Sequence, residues 1–334
     1  MTEARVMGLT RLPDLVPERW TSGLERAERA VAAADRCGDP NLRASNRICL
    51  SWSMLSRGDL EGARRLVDES LAIAVDDAAP MSEWAARSNA SNFHIYDGDL
   101  EQAAKENDGA LEFGLEIGAV DAESWWAAAS AQVGVVRDGD IGDPDLIGRM
   151  ADEFSGAPVW RVAQATALAS RQRFTECRDL IDRYDLDDLE SVPKDAFWLA
   201  HANNLARVAR DLNDAPMARR VLPFVEPYAD VAVHYCIGFN GPVRQVLAYL
   251  RATAGDLEGG IADNRAALEF STTRNLAPYE AMYRVELAEL LVRRGSDVDI
   301  GEAGSLISEA LPDIDRMGMV GWRTRATQLV DQLG

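Results

Sequence analysis

The side chains able to do chemistry are few in this chain and far apart. Three histidines, His94 in NFHIYDGD, His201 in WLAHANN and His234 in AVHYCIGFN, stand beside four cysteines, Cys37, Cys49, Cys177 and Cys236. Zinc needs several such ligands converging, and neither a His-Glu-x-x-His nor a Cys-x-x-Cys spacing occurs. The histidines are therefore read as structural and the cysteines as reduced core thiols, with no metal site and no disulfide framework. The string DGDIGDPDLIGR, Asp138 to Arg149, has the acidity of a calcium loop. An EF-hand, however, needs an oxygen ligand at position 5, glycine at 6 and a bidentate acid at 12, where this string places Gly142, Asp143 and Arg149. It reads instead as a capping turn, with Asp143 before Pro144 at the first helical position. No phosphate-cradling Gly-x-x-x-x-Gly-Lys loop and no Gly-x-Ser-x-Gly elbow is present, so no cofactor is expected.

The aromatic residues make a richer set. Trp125, Trp126, Trp160 and Trp198 recur along the middle of the chain, and His234, Tyr235, Phe239 and Asn240 form a tight group beyond them. Flat side chains with a few amides suit a groove for a peptide or a ring-bearing ligand, because they supply contact area at low entropic cost. A tryptophan at helical spacing equally suits packing between helices. Arg161, Arg207 and Arg244 are the candidates for carboxylate or phosphate recognition, and His201 completes the candidate groove.

What would position these residues is a repeated corner. Gly-Asp-Leu-Glu occurs at Gly58, Gly98 and Gly255. Glycine reaches the left-handed conformation that ends a helix, and the following aspartate caps the next one. Looser versions fall at Gly139, near Gln172, near Asn213 and at Gly295, a period of about 40 residues. After most corners a small residue and apolar partners recur on one helix face, as in Ala63, Val67 and Ser70 or Ala303, Ile307 and Ala310. Two helices per period that cannot bury their apolar faces alone define an all-α fold, an α-solenoid. The pattern predicts an opening helix over about 18–36 and seven hairpins. Their first helices fall near 42–57, 82–97, 122–138, 159–171, 194–211, 242–254 and 278–294, and a capping helix over 321–333 closes the stack. The whole chain reads as one superhelical domain, with a weak division in the acidic stretch 184–193. In such a stack the first helices line the concave surface, which is where the aromatic set falls.

The 334 residues are 47% hydrophobic and 27% charged, ample for a buried core. A net charge of −20 argues against nucleic acid, whose binders need a cationic face. Only Lys105 and Lys194 are lysines, which leaves little Schiff-base chemistry. No apolar run is long enough to span a bilayer and the first twenty residues lack the apolar block of a secretion signal, so a cytoplasmic location is expected.

The small residues, the Gly-Asp corners and the 40-residue period resemble tetratricopeptide repeats, in the long form found in the C-terminal arms of bacterial ATPase regulators of the MalT and LuxR type. The segments DAESWWAAASAQVGVVRDGD, APVWRVAQATALASRQRFTEC, VPKDAFWLAHANNLARVARDLND and LAPYEAMYRVELAELLVRRG carry the likeness. The resemblance implies a bacterial repeat protein whose arm serves as a sensor or docking surface; in the MalT example a sugar inducer binds the arm. Neither the ATPase nor the DNA-binding module of those regulators is read here, so a free-standing repeat domain is expected. The leading expectation is a non-enzymatic regulatory or scaffolding protein that binds a protein segment or small effector in its concave groove. The alternatives are an enzyme on the same scaffold, with His201, His234 or a nearby carboxylate as general base, and a passive assembly scaffold.

Overall fold

The computed structural model describes residues 19–333 except Ala157, Asp185, Pro193, Cys236 and Ile237. The reading of the first eighteen residues, Glu18 at the start of the opening helix and the reading of Cys236 lie outside the described residues.

Among the described residues are sixteen α-helices. Helix α1 (Trp20–Cys37) opens the stack. Three hairpins follow: α2 (Pro40–Ser56) with α3 (Leu60–Asp76), α4 (Pro80–Asp97) with α5 (Leu100–Glu116), and α6 (Ala122–Asp138) with α7 (Pro144–Glu153). Then come α8 (Pro158–Ser170) with α9 (Phe174–Ile181), and α10 (Trp198–Asp211) with α11 (Ala215–Val225). Two strands, β1 (Ala232–Tyr235) and β2 (Gly238–Pro242), intervene before α12 (Val243–Ala254) with α13 (Leu257–Thr272) and α14 (Ala277–Arg294) with α15 (Asp297–Arg316). Helix α16 (Val320–Leu333) closes the series. The molecule is an all-α solenoid of seven hairpins between an opening and a closing helix.

The corners work as capping chemistry requires. Gly58 and Gly98 have φ of 73° and 83°, the left-handed region where a β-carbon is costly. Asp59, Asp99 and Asp256 then accept from the amides of Gly62, Gln102 and Gly259 at 2.8, 3.1 and 2.9 Å. The looser corners use the same geometry, since Gln172 and Asn213 also take positive φ. Asp143 accepts from Asp145 N at 3.0 Å with Pro144 at the first helical position. The small-residue rows are buried: Ala63, Val67 and Ser70 in α3, and Ala303, Ile307 and Ala310 in α15.

Three expectations need correction. Helix α10 starts at Trp198 rather than residue 194, because the Asp195 carboxylate accepts from Phe197 N at 2.8 Å and turns the chain there first. Ala232–Tyr235 and Gly238–Pro242 pair as an antiparallel ribbon, with His234 opposite Phe239 and Tyr235 opposite Gly238. Most consequential, the concave surface is not an open groove. The inner faces of the two ends meet, and the ribbon is held where they do.

Hydrogen bonds between distant residues make that closure. Gln132 Nε2 on α6 donates to the Tyr279 hydroxyl on α14 at 2.6 Å, and Tyr279 in turn donates to Phe239 O at 2.6 Å. Phe239 N donates to the Tyr96 hydroxyl of α4 at 2.9 Å. Trp322 Nε1 on α16 reaches Val135 O at 3.0 Å, and Arg274 Nε reaches Gly58 O at 3.1 Å. A β-carbon on Gly58 would collide with the Phe270 ring, and one on Gly98 with the Met317 side chain. The corner glycines therefore serve twice, ending a helix and admitting a neighbour from the far end of the chain. One apolar cluster accordingly runs from Ile48 and Trp52 in α2 through to Trp322 and Leu329 in α16.

Candidate functional site

Beside the closure lies a cavity of about 130 Å³ on the inner faces of α6, α8 and α10, partly covered by the ribbon. Each helix contributes residues at helical spacing: Ala128, Ala131 and Val135 from α6, Trp160 and Ala163 from α8, Ala200, Asn203 and Arg207 from α10. Alanines at the inward positions make the space, while Trp160, Phe197 and Val159 wall it. Gln132, Ile141, Asn204, Tyr235 and Asn240 complete the lining. Tyr235 donates its hydroxyl to Ala128 O at 3.1 Å, which ties the ribbon to the rim.

Arg207 is 7% exposed. Its Nη2 donates to Gly139 O, at the C-terminal end of α6, at 3.0 Å, and its buried Nε meets no acceptor. No carboxylate among the described residues lies within ion-pairing distance of it. Burial, with repulsion from Arg210 second, pulls its pKa below the ordinary arginine value. Arg210, one turn on, is fully engaged: it pairs with Asp211 at 2.8 Å and with buried Glu286 at 3.3 Å. Glu286 also accepts from Tyr249 at 2.7 Å and from Gln245, and lies 3.6 Å from Arg325.

Of the residues anticipated for a groove, Trp160, Arg207, Tyr235 and Asn240 meet around this one cavity, and the others lie elsewhere. Trp125 packs on Trp84, ring centroids 4.7 Å apart, and sits edge-on to Trp52, a column of tryptophans between successive first helices. Trp126 turns outward and donates to Asp108 at 2.8 Å. Trp198 is 1% exposed and Phe239 0%, both packing residues. Arg161 is held by Asp152 at 2.7 Å and Gln164 at 3.0 Å, and Arg244 by Asp230 and Asp263 at 2.9 and 3.0 Å. Gln132, Phe197, Asn203 and Asn204 were not anticipated, although Asn203, Asn204 and Arg207 share one face of α10 at a spacing of three and four.

His201 and His234 are buried away from the cavity. His201 Nε2 meets the Tyr184 hydroxyl at 2.7 Å, and its ring stacks near Trp198. Burial pushes Tyr184 up to about 12, so the phenol stays protonated beside a neutral imidazole, whose tautomer sets which of the two donates. Burial likewise lowers both histidines from 6.5 to about 4, away from the neutral range that suits a general base. Between those values the unfolded chain takes up protons that the folded chain refuses, so stability falls as pH drops from 6.5 towards 4. Each histidine contributes on the order of 2–3 kcal/mol to that loss. Urea unfolding at a series of pH values is expected to show it, and His201→Gln to remove about half of the slope. His94, half-exposed, lies 3.2 Å from Glu106 on the outer side.

No group of three or more histidine, cysteine or acidic side chains among the described residues is placed to hold a metal ion. No helix among them is long and apolar enough to cross a membrane.

In comparisons with known proteins, no family model matches the chain and no curated protein matches. Among solved structures, one of Naa15/Naa10 bound to HypK-THB aligns over 100% of this chain at 13% identity with a TM-score of 0.28. The chain spans 58% of the length of the chain it matches there. At that TM-score the likeness is too distant to bear on function.

Proposed function

We propose that this is a non-enzymatic, cytoplasmic repeat protein of the tetratricopeptide kind, related to the arms of MalT- and LuxR-type regulators, that binds a small effector in the cavity between α6, α8 and α10. The observation that carries the reading is the packing of the protein's own ribbon and C-terminal hairpins against the inner surface, which leaves this apolar-walled cavity at the size of a small molecule rather than as a groove for a long segment. Apolar walls with a few amides and one guanidinium are the usual composition of a ligand site. A change in how tightly the inner faces close would pass the binding event to a protein partner. Nucleic acid and membrane are not proposed as partners, given the net charge of −20.

A thermal-shift screen of small metabolites tests this, with Ala163→Phe as the companion variant because its ring would occupy the cavity. A ligand at a hundred times its Kd stabilises by about 2.7 kcal/mol. The wild-type chain is expected to shift by a few degrees with its ligand and the variant to shift by less than one. Equal shifts in both, or no compound that moves the wild-type chain, would overturn the proposal.

A further inference from the structure

The chemistry of the effector can be read from Arg207, on the premise that the cavity is a ligand site. Other arginines drawn towards the interior are met by carboxylates: Arg47 by Asp35 and Glu69, Arg210 by Asp211 and Glu286, Arg325 by Glu289. Among the described residues Arg207 has only the carbonyl of Gly139 as a hydrogen-bond partner. A helix C-terminus carries roughly half a negative charge, and Asp211 and Glu286 add some attraction from beyond ion-pairing distance, while burial and Arg210 outweigh them and leave the guanidinium without a direct counter-ion. An unpaired buried charge is costly, and proteins hold one where a counter-ion arrives from outside.

The walls narrow the choice further. A cavity of about 150 Å³ lined by apolar side chains holds one benzene ring, and this one is about 130 Å³. Trp160 and Phe197 offer flat faces to such a ring, and the inward alanines Ala131 and Ala163 leave its space empty. The guanidinium fork matches the two oxygens of a carboxylate, with the amides of Asn203 and Asn240 on the same lining to take a further polar group. A second acid on the ligand would be buried against apolar walls with no cation to meet it.

We infer that the effector is a small monocarboxylate with a single-ring or similarly sized apolar body, its carboxylate clamped by Arg207 and its body held between Trp160 and Phe197.

Calorimetric titration of the full chain with benzoate, phenylacetate and 4-hydroxybenzoate, against benzamide, phenylacetamide and the dicarboxylate terephthalate, tests this. At least one of the acids is expected to bind, with its amide and the dicarboxylate about ten- to a hundred-fold weaker, the range of a charge-assisted hydrogen bond. Arg207→Gln is expected to weaken the acid by the same factor and leave the amide unchanged. The acid-to-amide comparison needs only the wild-type chain, so it decides the matter even where the variant does not fold. Amides that bind as tightly as acids, or an Arg207→Gln chain that binds the acid undiminished, would overturn the inference while leaving the cavity as a site. Binding by other metabolites in the screen, without any by these acids, would do the same. Loss of all binding, in the screen as in the titration, would overturn the cavity reading itself.

Discussion

Replacing Trp322 with alanine is expected to cost the fold about 3–5 kcal/mol, the range for deleting a large buried aromatic. The indole is 3% exposed, touches the Gly139 corner, and donates to Val135 O in the last turn of α6. It is the bolt between the closing helix and the third hairpin. Trp322→Phe keeps much of the apolar area but loses the N–H and part of the fused ring, so a smaller cost of about 1–3 kcal/mol is expected. Gly321→Ala sharpens the test by reversing an ordinary sign. In an exposed helix, alanine for glycine stabilises by about 1 kcal/mol, but here the added methyl would collide with the Asp138 carbonyl, backbone that has no rotamer with which to yield. A loss of about 1–3 kcal/mol is expected instead. Urea unfolding measures each, and small-angle scattering should report a larger radius of gyration for Trp322→Ala. A cost under about 1 kcal/mol for that variant, with scattering unchanged, would mean the two ends touch without supporting one another.

The second large effect is expected at Glu286. This carboxylate is 3% exposed and gathers Tyr249, Gln245, Arg210 and Arg325 around it. Burial raises its pKa while Arg325 and Arg210 oppose the rise, so the charge is sustained by its partners. Glu286→Ala leaves two guanidinium groups short of a counter-charge and is expected to cost about 3–5 kcal/mol. Glu286→Gln should cost less than the alanine variant, because the amide keeps the side-chain volume and an oxygen to accept from Tyr249. The double replacement Glu286→Leu with Arg210→Met is expected to recover much of the loss, since apolar isosteres often match a buried pair in stability. Additive costs in the double variant would show that the two residues act independently.

The helices were legible because their signals are local. A left-handed glycine, a capping aspartate and a row of small residues lie within one hairpin, and the seven anticipated first helices fall close to α2, α4, α6, α8, α10, α12 and α14, with the anticipated capping helix close to α16. The ribbon was not legible, since Asn240-Gly241, the pair that would announce a hairpin turn, lies inside β2 rather than between the strands. The closure was not legible either, because it joins residues such as Gln132 and Tyr279 that are 147 positions apart. The same limit divides the candidate site. Arg161, Arg207 and Arg244 look alike along the chain, and only the positions of Asp152, Asp230 and Asp263 in space show which two are neutralised. Trp198 and Trp160 likewise differ only in what the neighbouring helices place over them.

Closure also changes how such a chain acquires its shape. An open array of repeats is quasi-one-dimensional, so it can nucleate anywhere, grow by short-range contacts and fray from its ends. Here Arg274 bonds to Gly58, 216 positions away, and contacts of that span slow the search because a long loop must be ordered before they repay it. The last step of maturation is then expected to be a docking of two preformed arcs, slower than the growth of either. A hydrogen-exchange time course is expected to register protection of the Phe239 amide and the Trp322 indole N–H together and late.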